Sequence, residues 1–223
     1  ASVAVDAYGN KTTAGDFFVD EENARYEVLE AGVIQTYVVP PRSNQARLSK
    51  SVTTSHTVNV DGSTANQVAT IENDYDDVGR LIRARGFVEG ISTDPYGMDT
   101  AVETEQFFSV LFGQAKIARQ TTHTWGDSRD RVFSEQFMTI TYRYRDNGQL
   151  EGGAGIGFGI TRDFFGNITV SEIDQVMAVI AGQAKVVESV SRVHMQNTDG
   201  SFGNQTTVVR TQYDLNGKYH DMR

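Results

Sequence analysis

The sequence predicts an all-β protein built from three tandem antiparallel repeats, and three observations carry that reading. First, Gln45-Ala46-Arg47 recurs as Gln114-Ala115-Lys116 and as Gln183-Ala184-Lys185, an offset of 69 both times (114 − 45 and 183 − 114). The same offset relates Asp61, Asp130 and Asp199, Gln67, Gln136 and Gln205, Tyr75, Tyr144 and Tyr213, and Gly79, Gly148 and Gly217. Second, the segments between these columns alternate with the two-residue period of a strand. Third, Asp-Gly and Asp-x-x-Gly turn chemistry punctuates them.

Each copy is read as a β-meander. From Leu48 the even positions run Leu48, Lys50, Val52, Thr54, His56, Val58 and Val60 while the odd ones are mostly Ser, Thr, Arg or Asn, the two-residue period of a half-buried strand. Asp61-Gly62 and Asp199-Gly200 then turn the chain, and the following strand is expected to bury Ala69, Ile71 and Tyr75, matched by Met138, Ile140, Tyr142 and Tyr144 and by Val209 and Tyr213. A second turn begins at Tyr75 and ends at Gly79, and recurs from Tyr144 to Gly148 and from Tyr213 to Gly217. In the third strand, Leu150 to Thr161, one face is apolar (Ala154, Ile156, Phe158, Ile160) and the other is Gly153, Gly155, Gly157 and Gly159. Bare backbone on that face invites close packing by another sheet or an aromatic ring.

The runs Phe107 to Phe112 and Val176 to Ala181 fit a strand or a helix by periodicity. Pro40-Pro41 in the corresponding part of the first copy excludes a helix interior, so strands are expected. The turn element Asp94-Pro95-Tyr96-Gly97 recurs as Asp163-Phe164-Phe165-Gly166 and opens the chain as Asp6-Ala7-Tyr8-Gly9. In the first copy it stands 39 residues before the Gln-Ala pair (45 − 6) instead of 20 (114 − 94), so an insertion of 19 lies near residues 13–38. A helix from Asp20 to Ala31 is expected there, with Asp20 as N-cap, Glu21 and Glu22 in the first turn and Gly32 after the end. The whole is expected to be one repeat domain, 1–223, divided at about 92 and 161, forming one elongated or closed sheet structure.

Composition narrows the function. There is no Cys, which excludes disulfides, thiol catalysis and Cys-type metal centres, and 29 acidic against 20 basic residues give a net charge of −9, which opposes nucleic-acid binding. No apolar run is long enough to span a membrane as a helix. His56, Trp125 and His194 share one repeat column, which reads as packing in preference to a metal site, and His123 and His220 have no such partners. Asp74, Asp76 and Asp77 offer oxygen ligands but lack calcium-loop spacing. The pairs Glu103 with Asp99 and Glu172 with Asp163 fall at repeated positions, and Glu21, Glu22, Glu27 and Glu30 read as a solvated helix face; neither set is assigned glycosidase chemistry. No catalytic residue, cofactor or metal ligand is assigned. Asn10, Asn167 and Asn204 open sequons that permit glycosylation in a host with the machinery.

Tyr75-Asp76-Asp77-Val78-Gly79-Arg80-Leu81, Tyr213-Asp214-Leu215-Asn216-Gly217 and Asp6-Ala7-Tyr8-Gly9-Asn10 resemble the Tyr-Asp (YD, or Rhs-type) repeats of bacterial surface and toxin-shell proteins. The Gly-Gln-Ala-Lys segments with Asp-Gly-Ser turns are similar to tandem repeats of bacterial extracellular proteins. The middle copy departs, with Tyr144-Arg145 in place of Tyr-Asp, and the period exceeds the usual repeat of about 20. The resemblance implies a β-rich, secreted, shell- or assembly-forming role and supplies no catalytic residue.

The last copy reaches Arg223, six residues past Gly217 (223 − 217), and the first begins with the end of a third strand, Val3-Ala4-Val5. The ends are therefore read as complementary halves of one repeat, joined within a chain or head to tail between identical subunits. The expected function is an extracellular structural protein, not an enzyme: a subunit of a self-assembling cell-surface fibre or sheath joined by strand exchange. The alternative is an adhesin or carbohydrate-binding repeat module of a longer surface protein.

Overall fold

The computed structural model describes residues 2–5, 11–20, 25–127, 132–214 and 216, with side chains from residue 32 onward. Among these residues the chain is all-β and antiparallel: β1 (Ser2–Val5), β2 (Lys11–Asp20), β3 (Arg25–Val38), β4 (Arg47–Val58), β5 (Thr64–Tyr75), β6 (Leu81–Thr93), β7 (Asp99–Leu111), β8 (Gln114–Asp127), β9 (Phe133–Tyr144), β10 (Leu150–Arg162), β11 (Ile168–Ile180), β12 (Gln183–Gln196) and β13 (Phe202–Arg210). None of them is helical. Two compact units are present, Ala1–Lys116 with Gly126–Ser128, and Ile117–Trp125 with Arg129–Arg223.

In the first unit β4, β5, β6 and β7 pair in sequence order, and β3 lies on the other side of β4. In the second, β9 to β13 form a meander. The spacing of 69 that relates the sequence columns also relates the strand ends: β9, β10, β11 and β12 begin and end 69 residues after β5, β6, β7 and β8. The runs around Phe107 and Val176 are strands, β7 and β11.

The hairpin loops explain this regularity. At residues 59–63, 76–80, 94–98, 145–149, 163–167 and 197–201 the first N–H bonds the fifth carbonyl and the fourth N–H bonds the first carbonyl. The fourth residue is a glycine at positive φ, between 77° and 87°. This is a type I turn closed by a glycine bulge, and only glycine adopts that conformation without strain. The β7–β8 and β11–β12 links are tighter: Phe112 and Gly113 have φ of 52° and 76°, Ala181 and Gly182 of 50° and 77°. Both central residues are left-handed, as in a type I′ turn.

The expected helix from Asp20 to Ala31 is corrected. Residues 21–24 lie outside the described residues, but Arg25–Val38 is a strand. The first part of β2 pairs with β4 up to Ala14↔Ser55, and β3 takes over the same face of the ladder at Gly32↔Thr54. The seventeen residues 15–31 between those partners leave the ladder as a hairpin of β2 on β3. Glycines 15 and 32 stand where it leaves and rejoins. Pairing on both sides of the hairpin overrides the helix caps, and Val28, Val33, Ile34 and Val38 favour the extended chain.

The expected half-buried strands are corrected as well. Among the described residues the strands of each unit pack chiefly against their ladder neighbours. Pro40, Ala84 and Met177 are the only buried apolar side chains among the described residues, and Ile71, expected inside, is 44% exposed. Among the described residues each unit is one layer with two wet faces, so period two marks strands without marking a core.

Because an L-residue in the left-handed region is strained by about 1–2 kcal/mol, Ala181→Asn should stabilise the protein by up to about 1 kcal/mol, read from the urea unfolding midpoint.

Candidate functional site

The glycine strand is where the layer makes its own interior. Gly153, Gly155 and Gly159 are buried and Gly157 half-buried, while Ile156 and Phe158 on the opposite face are 61% and 43% exposed. The cover is not a second sheet. Register places β9 and β11 on either side, with Met138 and Ile173 flanking Gly157, Ile140 and Gln175 flanking Gly155, and Tyr142 and Met177 flanking Gly153. A Cβ on Gly155 would lie 2.8 Å from Met138 Cε and 2.9 Å from Gln175 Oε1; one on Gly153 would lie 2.9 Å from the Thr141 carbonyl oxygen. Long side chains thus lean across the missing ones. The first unit repeats the device 69 residues earlier: Gly86 sits under Gln106 and Phe108, and Ala84 is 3% exposed.

The repeated tyrosines close a ladder defect. Tyr75, Tyr144 and Tyr213 donate their hydroxyls to the carbonyls of Leu48, Ile117 and Val186, at 2.9, 2.8 and 3.1 Å. Leu48 and Val186 each precede the extra residue of a β-bulge, Ser49 and Val187, where strand pairing shifts. The phenol supplies a donor where the ladder is interrupted. Burial, and secondarily the neighbouring Tyr142, pushes the Tyr144 hydroxyl above the ordinary value of 10.0. Gly79 and Gly148 hold the adjoining turns at positive φ; Gly217 lies outside the described residues.

The other polar candidates are committed to local partners. Asp76 accepts the Val78 and Arg80 N–H groups and pairs with the Arg80 guanidinium, and Asp74 pairs with Arg83. His56 and His194 each place Nδ1 2.6 Å from an asparagine Oδ1, of Asn66 and Asn204. His123 stacks between Trp125 and Phe137, at centroid distances of 4.3 and 4.1 Å, with Nε2 2.9 Å from Glu135. No group of three or more metal-ligating side chains converges among the described residues. Asp99 accepts the Thr93 hydroxyl and Asp163 accepts the Asn167 amide within its own turn, while Glu103 and Glu172 are exposed on β7 and β11.

Of the sequons, Asn167 is tied to Asp163 and to the Thr198 N–H, Asn204 is exposed on β13, and Asn10 lies outside the described residues, as do Glu21, Glu22 and His220. Glu27 and Glu30 stand on β3. Val3, Ala4 and Val5 form β1, paired with Thr13, Thr12 and Lys11 of β2. Sequence reasoning missed the hairpin-tip aromatics: Tyr96 is 93%, Phe165 74% and Phe164 63% exposed. The repeat column shared by Tyr96 and Phe165 was the available signal. No family model matches the chain, and no curated protein is significantly similar to it. Among the described residues no helix is long and apolar enough to cross a membrane.

Two expectations follow. A Cβ at Gly153 meets backbone and one at Gly155 meets the far ends of flexible side chains, so Gly153→Ala should cost about 1–3 kcal/mol and Gly155→Ala less than about 1 in urea unfolding. The carboxyls of Asp61, Asp76, Asp163 and Asp199 are all held below the ordinary 3.8, chiefly by hydrogen bonds from the Ser63 and Arg80 N–H groups, the Asn167 amide and the Ser201 hydroxyl respectively. A lowered folded-state value means the stability they contribute is complete above 3.8 and is lost as pH falls below it. The unfolding midpoint should therefore drop only beneath the ordinary aspartate range, and Asp61→Asn combined with Asp199→Asn should flatten that drop.

Proposed function

We propose that the chain is an extracellular structural protein, a subunit of a bacterial surface fibre or sheath that assembles head to tail with identical subunits by β-strand pairing. The unit of construction is the repeat of about 69 residues, three to a chain. The supporting observation is that ladder register, hairpin loops and the tyrosine-to-carbonyl bond recur at one spacing, each made between neighbouring strands. A layer of this kind can be lengthened strand by strand without changing any contact already made. The Tyr-Asp resemblance supports the surface setting.

A second reading, a glycan-binding module, is favoured by the aromatic tips at Tyr96, Phe164 and Phe165, since exposed rings stack on sugars. Electron microscopy with sedimentation across a concentration series separates the two. Fibres with a regular subunit spacing are expected; a protein that stays monomeric at every concentration and is retained on a glycan column would replace the first reading by the second.

A further inference from the structure

The outer edge of β13 (Phe202–Arg210), unpaired among the described residues, has a definable complement. Its inner side pairs with β12 from Glu188↔Arg210 to Gln196↔Phe202, and no strand pairs with its outer side among the described residues. The strands at the same place in the ladder, β5 and β9, carry β6 and β10 on that side. Their registers are the same: Thr64↔Thr93, Ala65↔Ser92, Asn66↔Ile91 and Gln67↔Gly90 in the first unit, Phe133↔Arg162, Ser134↔Thr161, Glu135↔Ile160 and Gln136↔Gly159 in the second.

β1 is the tail of such a strand. It pairs with the next strand first at Val5↔Lys11, six residues before the partner, as β6 does at Thr93↔Asp99 and β10 at Arg162↔Ile168. Like them it carries the following strand on one side, and its other side has no partner among the described residues. We propose that the outer edge of β13 binds β1 of a second copy of this chain, with Val5 opposite Phe202, Ala4 opposite Gly203, Val3 opposite Asn204 and Ser2 opposite Gln205. This inference rests on the fibre reading and names the strands and register that reading leaves open. The contact joins two different edges, so it is heterologous, and each added copy presents a new β13 edge. Phe202, 73% exposed beside that edge, marks apolar surface available to the incoming chain.

The absence of cysteine makes the register measurable by disulfide trapping. Differently tagged Ala4→Cys and Gly203→Cys chains are mixed and oxidised, with Val3→Cys and Asn204→Cys as a second pair, because facing positions alternate between closer and wider Cα spacings. One of these pairs should cross-link about tenfold more than the slipped pair Ala4→Cys with Gln205→Cys. Equal yields, or a bond that forms only within a doubly substituted chain at high dilution, would overturn the proposal. Fibres in the microscope without selective cross-linking sink the register and leave the fibre reading standing; loss of both fibres and cross-links removes both. Circular dichroism of each variant establishes that it is folded before it is scored.

Discussion

Among the described residues no second layer covers the strands, so side chains find cover from neighbours in the same sheet, and the glycine strand is how they do it. An ordinary sheet puts one face against a helix or another sheet and leaves the other wet. Here Met138, Gln175, Tyr142 and Met177 reach over β10 from the flanking strands, and the space they enter exists because Gly153, Gly155 and Gly157 carry no side chain. The same need explains the strand length. Strands of 12 to 14 residues make many cross-strand pairs, each worth a few tenths of a kcal/mol to one, in place of the burial that a core supplies.

The opposite face shows what remains without that device. Across the second unit the row Phe137, Phe158, Glu172, Arg192, Thr206 mixes aromatic, charged and hydroxyl groups. The cross-strand ion pairs Arg192–Asp174 and Arg210–Glu188 are exposed and contribute little to stability. They do oppose a wrong register, since a slip by one residue would carry each charge to the other face. Register is also fixed at the strand ends, where six loops share one bonding pattern and tyrosine hydroxyls meet carbonyls beside the bulges.

Much of this was legible in the sequence, and the omissions have a common cause. The glycines at 62, 79, 97, 148, 166 and 200 were readable because a turn needs positive φ at a fixed place, which is a local demand. Strands β7 and β11 followed from comparing copies. What covers the glycine side of β10 was not readable, because the cover is neither another sheet nor a ring from elsewhere but the side chains of β9 and β11, which register alone brings beside it. The hairpin at 15–31 was misread as a helix for a related reason: Asp20 and Gly32 are good local caps, but pairing of β3 with β2, from Asp20↔Arg25 to Gly15↔Ala31, decides the conformation.

Edge and interior strands are chemically alike in such a layer, and this gives the edge its meaning. β13 presents to its outer side the backbone groups that β9 presents to β10, and it sits 69 residues later with the same preceding loop chemistry at Asn197, Asp199 and Ser201 as at Asn59, Asp61 and Ser63. A strand added there makes the bonds that β10 makes on β9, so the driving force for lengthening the sheet is that of forming its interior. What distinguishes one incoming strand from another is therefore pattern: small residues where the flanking side chains must lean, and a hairpin that begins at the right step of the ladder. β1 meets the second condition through Val5↔Lys11. An unprotected edge is normally a hazard that proteins blunt with charge, proline or bulges. Phe202 to Val209 contains none of the first two, and the strand's one charge, Arg210, is paired with Glu188 of β12.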